Sequence, residues 1–232
     1  MLNILFSPHW FYGQDILIDI VSVVVLLLIS GLTFRYHRFS KRENKHLLFS
    51  IATLLLALSF LFKIMTNFTL YEQMYRTVPL GFFTLTYSTV HYSDQLFLVG
   101  TLLYRLLTVV GFYLLYLVYS ERHARYIHWL VAYFMIISLY FTSHAFAIFH
   151  LTTLLLLLPL LWHYYSNWRK TKDKAGKLIA WSFSIIALSQ IAFIFLDFDK
   201  LVYVLAESIQ LLGYSLLLLS LLLVLRHGKK KK

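Results

Sequence analysis

The sequence predicts an all-α protein, a single transmembrane domain over residues 1–232 folded as a bundle of seven membrane-spanning helices, N-terminus outside and C-terminus cytoplasmic. Three observations carry this expectation. Apolar runs of about 20 residues, the length that crosses a bilayer core as a helix, fill nearly the whole chain. Hydrophobic residues make up 60% of the chain and charged ones only 13%, and the mean hydropathy of +0.72 is far from that of an ordinary soluble domain. The basic residues gather in alternate connectors, as the cytoplasmic loops of a polytopic protein require.

The expected spans are 14–34, 46–67, 94–119, 126–143, 146–165, 176–196 and 200–225. Ahead of the first, His9, Trp10, Phe11 and Tyr12 suit an interfacial aromatic belt, and the absence of a cationic start argues against a cleaved signal peptide. Arg35, Arg38, Lys41, Arg42 and Lys45 follow span one, and Arg122 and Arg125 follow span three. Arg169, Lys170, Lys172, Lys174 and Lys177 follow span five, and Arg226 with Lys229 to Lys232 closes the chain. Of the 21 Lys and Arg residues, the opposite side then receives only Arg76 and Lys200, with Lys63 and Arg105 inside spans. This asymmetry sets the orientation, and the terminal lysines are expected to anchor the chain against anionic membrane lipid.

The long outer connector, Thr69 to Ser93, contains the partly alternating stretch Thr84 to Val90 after Pro79 and Gly81; it reads either as a short hairpin over the bundle mouth or as plain loop. Pro159 within span five frees a backbone carbonyl and favours a kink. Gly100, Gly111 and Gly213 permit close helix approach. Ala57-Leu58-Ser59 in span two has a counterpart in Ala187-Leu188-Ser189 of span six, and at the same offset the basic loop Lys41–Asn44 falls on Thr171–Lys174. That pattern fits a 3 + 1 + 3 arrangement of parallel repeats.

The +11 net charge invites a nucleic-acid partner, but its confinement to loops beside apolar spans argues against one. With no cysteine, disulfides and thiolate metal sites are excluded. No metal site is expected: His144 and His150 do not share a helical face, His123 and His128 flank a loop, and no pair stands four apart. Paired mid-membrane histidines for haem and arrangements for nucleophilic catalysis are missing too, so a non-enzyme is the favoured reading.

The polar residues inside the spans fall in one layer. Counted from the outer ends, Asp19, Lys63, His150, Gln190 and Glu207 all lie within about 10 Å at the helical rise. Asp94 stands just above them and Arg105 deeper. Charges at such depth face the protein interior by default and mark candidate function. These seven residues are therefore the candidate ligand-binding set. An equally available reading makes them a structural network that fixes helix register, with Lys63 paired to Glu207 or Asp19.

Two local stretches carry a family resemblance. His91-Tyr92-Ser93-Asp94-Gln95-Leu96-Phe97 is similar to the third-helix Arg-Tyr-Ala-Asp-Trp-Leu-Phe of microbial rhodopsins, and Leu212-Gly213-Tyr214 to their Val-Gly-Phe. The resemblance implies a seven-helix bundle with Asp94 and Glu207 at the two counter-ion positions. The chain departs from the family at Leu211, where the retinal-binding lysine would stand, and at His91, where the family has arginine. No covalent retinal, and no other cofactor, is expected.

These observations lead to the expectation of a receptor-like or sensory multi-pass membrane protein. It would bind an unknown small ligand or ion in an outward-facing polar pocket and signal through cytoplasmic protein partners. A small ion-coupled transporter with Glu207 and Asp19 as proton-linked carboxylates, or a non-catalytic accessory subunit, are the alternatives.

Overall fold

A computed structural model of the chain describes residues 7–11, 13–39, 44–75, 79–80, 83–84, 90–119, 146–196 and 198–229, with isolated positions between 129 and 137; side chains are described for these except at 9, 69–95, 119 and 227–229. After a 3₁₀ turn at His9–Phe11, six α-helices follow. They are α1 (Gln14–Phe39), α2 (Asn44–Tyr75), α3 (Val90–Tyr119), α4 (Phe146–Thr171), α5 (Lys174–Ile194) and α6 (Lys200–Lys229). All six are long and apolar enough to cross a membrane, which fits a polytopic helical membrane protein. The fourth span expected at 126–143 falls outside the described residues apart from isolated positions.

Most helices outrun the apolar stretches that announced them, because backbone pairing within a helix continues into the polar ends of a span. Thus α1 runs on to Phe39 and α2 to Tyr75. Helix α4 passes through Pro159 without interruption. The hairpin stands earlier than the alternating stretch suggested: Pro79–Leu80 pairs antiparallel with Phe83–Thr84, and residues 85–89 lie outside the described residues.

The polarity of the bundle is inverted relative to a soluble protein. Leu17, Val24, Leu28, Met65, Leu155, Leu158, Leu188, Leu205 and Leu212 point outward, while Asp15, Asp19, Lys63, Arg105, His150, Gln190 and Glu207 are buried. A bilayer solvates leucine and rejects charge, so this distribution is the low-energy one there. Buried hydroxyls are satisfied locally: Thr33, Thr53, Thr152 and Thr153 each donate to the carbonyl four residues back. Ser30 and Ser50 instead cross between α1 and α2, each donating to the other's carbonyl at 2.9 Å.

The helices form a closed ring in which each packs on its chain neighbours, α3 meets α4, and α6 returns to α1. Contacts fix the directions. Asp19 lies level with Lys63 and Ser30 with Ser50, so α1 and α2 are antiparallel. Thr66 meets Gly100 and Leu56 meets Gly111, making α3 antiparallel to α2. His150 lies level with Gln190 and Tyr164 with Phe183, and Phe193 with Tyr203 and Ile186 with Gly213, so α4, α5 and α6 alternate. Helices α2 and α6 are antiparallel in turn, since Lys63 meets Glu207 and Phe60 meets Tyr214. It follows that α3 and α4 are parallel, and Tyr119 and Phe146 lie at opposite ends of the bundle.

One end of the bundle carries exposed Arg35, Arg38, Lys45, Arg169, Lys170, Lys172, Lys174, Lys177 and Arg226; Lys200 is at the other. The tight turn between α4 and α5 belongs to the basic end. Lys172 adopts φ 51° and Asp173 caps α5 by accepting from the Gly176 N–H.

The repeated Ala-Leu-Ser stretches occupy matching positions. In α2, Leu56 and the Ala52 carbonyl pack against Gly111 of the following helix. In α5, Ile186 and the Ser182 carbonyl, 130 positions on from Leu56 and Ala52, pack against Gly213 of the following helix, which is 102 positions on from Gly111. Ser59 and Ser189 also donate alike, each at 2.7 Å to the carbonyl three residues back.

Candidate functional site

The predicted polar layer does not converge as one set. It divides into an ion cluster on α1, α2 and α6, a neutral amide–imidazole pair on α4 and α5, and Arg105 on α3. The side chain of Asp94 lies outside the described residues, as does that of His91.

The ion cluster is built by helix register. Asp19 follows the N-terminus of α1 by more than a turn, Glu207 holds the equivalent depth in α6, and Lys63 descends to them from the later part of antiparallel α2. Lys63 Nζ donates to Asp19 Oδ1 at 2.8 Å and to Glu207 Oε1. Asp19, Lys63 and Glu207 are 0%, 8% and 1% exposed. Among the described residues Lys63 is the only cation within ion-pair distance of either carboxylate. Asp19 Oδ2 and Glu207 Oε2 are buried with no hydrogen-bond partner among the described residues.

Aromatic rings close the cluster above and below. Toward the basic end, the Phe60 ring lies 5.4 Å from Lys63 Nζ and packs edge-on to Tyr214, 5.7 Å between centroids. Toward the other end, Phe11 of the 3₁₀ turn meets Tyr203, which in turn packs on Phe193. Gly13, at φ 85°, gives the chain the left-handed step that carries Phe11 over the N-terminus of α1. Tyr104 of α3 and Tyr203 stand close enough to the Lys63 ammonium to feel its charge.

Sequence reading overlooked Asp15, which is buried one helical turn above Asp19 on the same face of α1. Its Oδ1 accepts from the Gly13 and Ile16 N–H groups, at 3.1 and 2.9 Å, and its Oδ2 from Asn67 at 3.4 Å. The signal was present as a four-residue spacing between two aspartates in an apolar helix, but Asp15 stands at the helix start, where an acidic residue ordinarily serves only the backbone.

The second group is neutral and well defined. Ser189 Oγ donates to the Ile186 carbonyl at 2.7 Å, and Gln190 Nε2 donates to Ser189 Oγ at 3.3 Å. That turns Gln190 Oε1 toward His150 Nδ1 at 2.7 Å, so Nδ1 carries the proton. His150 Nε2 then retains a lone pair and has no partner among the described residues. Phe193 stacks on the imidazole at 4.5 Å, and Phe146 and Phe149 flank it. Arg105 does not join either carboxylate; its guanidinium lies 5.6 Å from the Phe149 ring, at the seam between α3 and α4.

Among the described residues, no group of three or more His, Cys, Asp or Glu side chains is placed to hold a metal ion. No family model, no curated protein and no solved structure matches the chain.

Proposed function

We propose that this integral membrane protein is a seven-span, receptor-like sensor whose functional centre is the Asp19–Lys63–Glu207 cluster. The observation that carries the reading is the place of the cluster in the ring. It joins the first, second and last helices at the one seam where the ring closes on itself. A change of charge there acts on the packing of α1 against α6, whose other ends emerge among the exposed basic residues Arg35, Arg38 and Arg226. The seventh span is supported by the placement of Tyr119 and Phe146 at opposite ends of the bundle. With the basic end cytoplasmic, the cluster faces outward and cytoplasmic partners read the basic loops. In layout this is similar to the microbial rhodopsins, without the lysine that Leu211 replaces.

A pair of paramagnetic labels tests this reading, and the lack of any cysteine in the chain makes labelling clean. With Phe34→Cys on α1 and Leu222→Cys on α6, both outward-facing near the basic end, a sensor shows a different distance distribution when Glu207→Gln is added. Identical distributions reduce the cluster to a packing device.

One observation favours a carrier instead: the matched packing of Gly111 on α2 and Gly213 on α5 fits a pair of parallel three-helix repeats, an architecture used for alternating access. Proteoliposomes with an imposed pH gradient separate the two, since a carrier collapses the gradient and a sensor leaves it.

A further inference from the structure

We infer that the ligand of the Asp19–Lys63–Glu207 cluster is a single proton, carried by one or the other of the two carboxyl groups. The inference rests on the reading of this cluster as the functional centre and names what it binds.

Charge counting comes first. With every group ionised the cluster holds two negative charges and one positive. Asp15, one turn away on α1, is a further carboxyl group and not a cation. An uncompensated carboxylate in a bilayer-spanning bundle is among the most costly arrangements a protein can adopt. Two carboxylates that share a site relieve the repulsion by sharing one proton. Among the described residues, no cation other than Lys63 lies within ion-pair distance of either carboxylate. Facing the cluster, from α1 comes Asp15, and from α2 Asn67 beyond Lys63; from α3 come Tyr104 and Arg105, the latter turned to Phe149; from α4 comes His150, and from α6 Tyr203.

Geometry then selects the proton over a metal ion. Among the described residues, the carboxylate oxygens left over are one on Asp19 and one on Glu207, both fully enclosed. Two oxygens do not make the six or more that hard cations require. A proton asks for no cavity and no coordination shell. It adds to a carboxylate oxygen to give a carboxylic acid, arriving from water at the Phe11 end, where Asp15 stands one turn above Asp19 as the next carboxylate outward. Its loss restores two anions on one ammonium and loosens α6 from α1, so the cluster is a proton-operated latch on the ring seam.

Infrared spectroscopy of the full chain in lipid nanodiscs tests this. The expected result is a carboxylic C=O band that persists at neutral pH, disappears as pH rises, and is lost or displaced in Asp19→Asn or Glu207→Gln. Proton linkage gives an independent readout that needs no variant. Above about pH 6.5, where buried neutral His150 no longer adds an opposing slope, the folded chain holds one proton that the unfolded chain releases, so the folding constant falls about tenfold per pH unit as pH rises, until the folded protein gives the proton up. A C=O band indifferent to both substitutions overturns the proposal. So does a stability that follows sodium or potassium concentration and not pH, which would make the cluster a cation site. If the band behaves as expected while the helix-end distances ignore Glu207→Gln, the single proton stands and the sensory reading falls.

Discussion

Lys63 and Glu207 are separated by 144 positions in the chain and joined directly, Nζ to Oε1, in the interior of the bundle. The same ammonium also serves Asp19, so removing it strands two buried carboxylates at once. Lys63→Met is expected to destabilise the protein by about 3–5 kcal/mol, the cost of breaking a buried ion pair from one side. The combination Asp19→Asn, Lys63→Met and Glu207→Gln removes all the charge and is expected to recover most of that loss, measured as denaturant unfolding in detergent. A triple variant no more stable than Lys63→Met would show that the charges do not set the cost.

Two glycines offer a matched pair. A Cβ at Gly213 would stand 2.6 Å from Ile186 Cγ1, 3.1 Å from the Ile186 nitrogen and 3.3 Å from the Ser182 carbonyl oxygen, so α5 and α6 would have to separate. Gly213→Ala is expected to cost about 1–3 kcal/mol by overpacking. At Gly31 nothing lies within 4 Å of the added atom, and Gly31→Ala is expected to be neutral or to gain up to about 1 kcal/mol of helix propensity. Thermal unfolding of the two variants side by side checks the contrast.

Gln190 holds the tautomer of His150. Gln190→Leu leaves the Nδ1 proton without an acceptor and is expected to cost about 1–3 kcal/mol, while adding His150→Phe removes the unsatisfied group and recovers part of it. Nitrogen NMR of the imidazole reads the same change directly, since the wild-type ring is expected as a single neutral species protonated at Nδ1.

Orientation is open to chemical labelling. Lys200→Cys, at the cluster end, is expected to react with a membrane-impermeant maleimide on intact cells. Lys172→Cys, in the exposed turn at the basic end, is expected to react only after permeabilisation. The opposite pattern would place the ion cluster on the cytoplasmic side.

The helices were legible because bilayer-length apolar runs and basic connectors are local properties of a sequence. Asp19, Lys63 and Glu207 were legible as a group because depth can be counted along a helix from its end. Azimuth cannot be counted that way. Depth alone placed His150 and Gln190 in the same set, whereas the structure bonds them to each other at the α4–α5 seam and not to the carboxylates. Arg105 shows the same limit: its length lets it lie against Phe149, a contact that no spacing announces. The aromatic cover from Phe11 depends on a single left-handed residue, Gly13, in a stretch that otherwise reads as an interfacial belt.

The closure of the ring by α6 also has a consequence for how the protein is made. Asp19 leaves the ribosome first and Lys63 next, and their helices are consecutive, so these two enter the membrane together as an oppositely charged pair. Glu207 arrives last. The second carboxyl group that meets Lys63 therefore appears only at the final step of synthesis, after the other five described helices have been made. A chain stalled before Lys200 carries a neutral pair and no electrostatic reason to be rejected, whereas one that has lost α2 presents both acids with nothing to meet them.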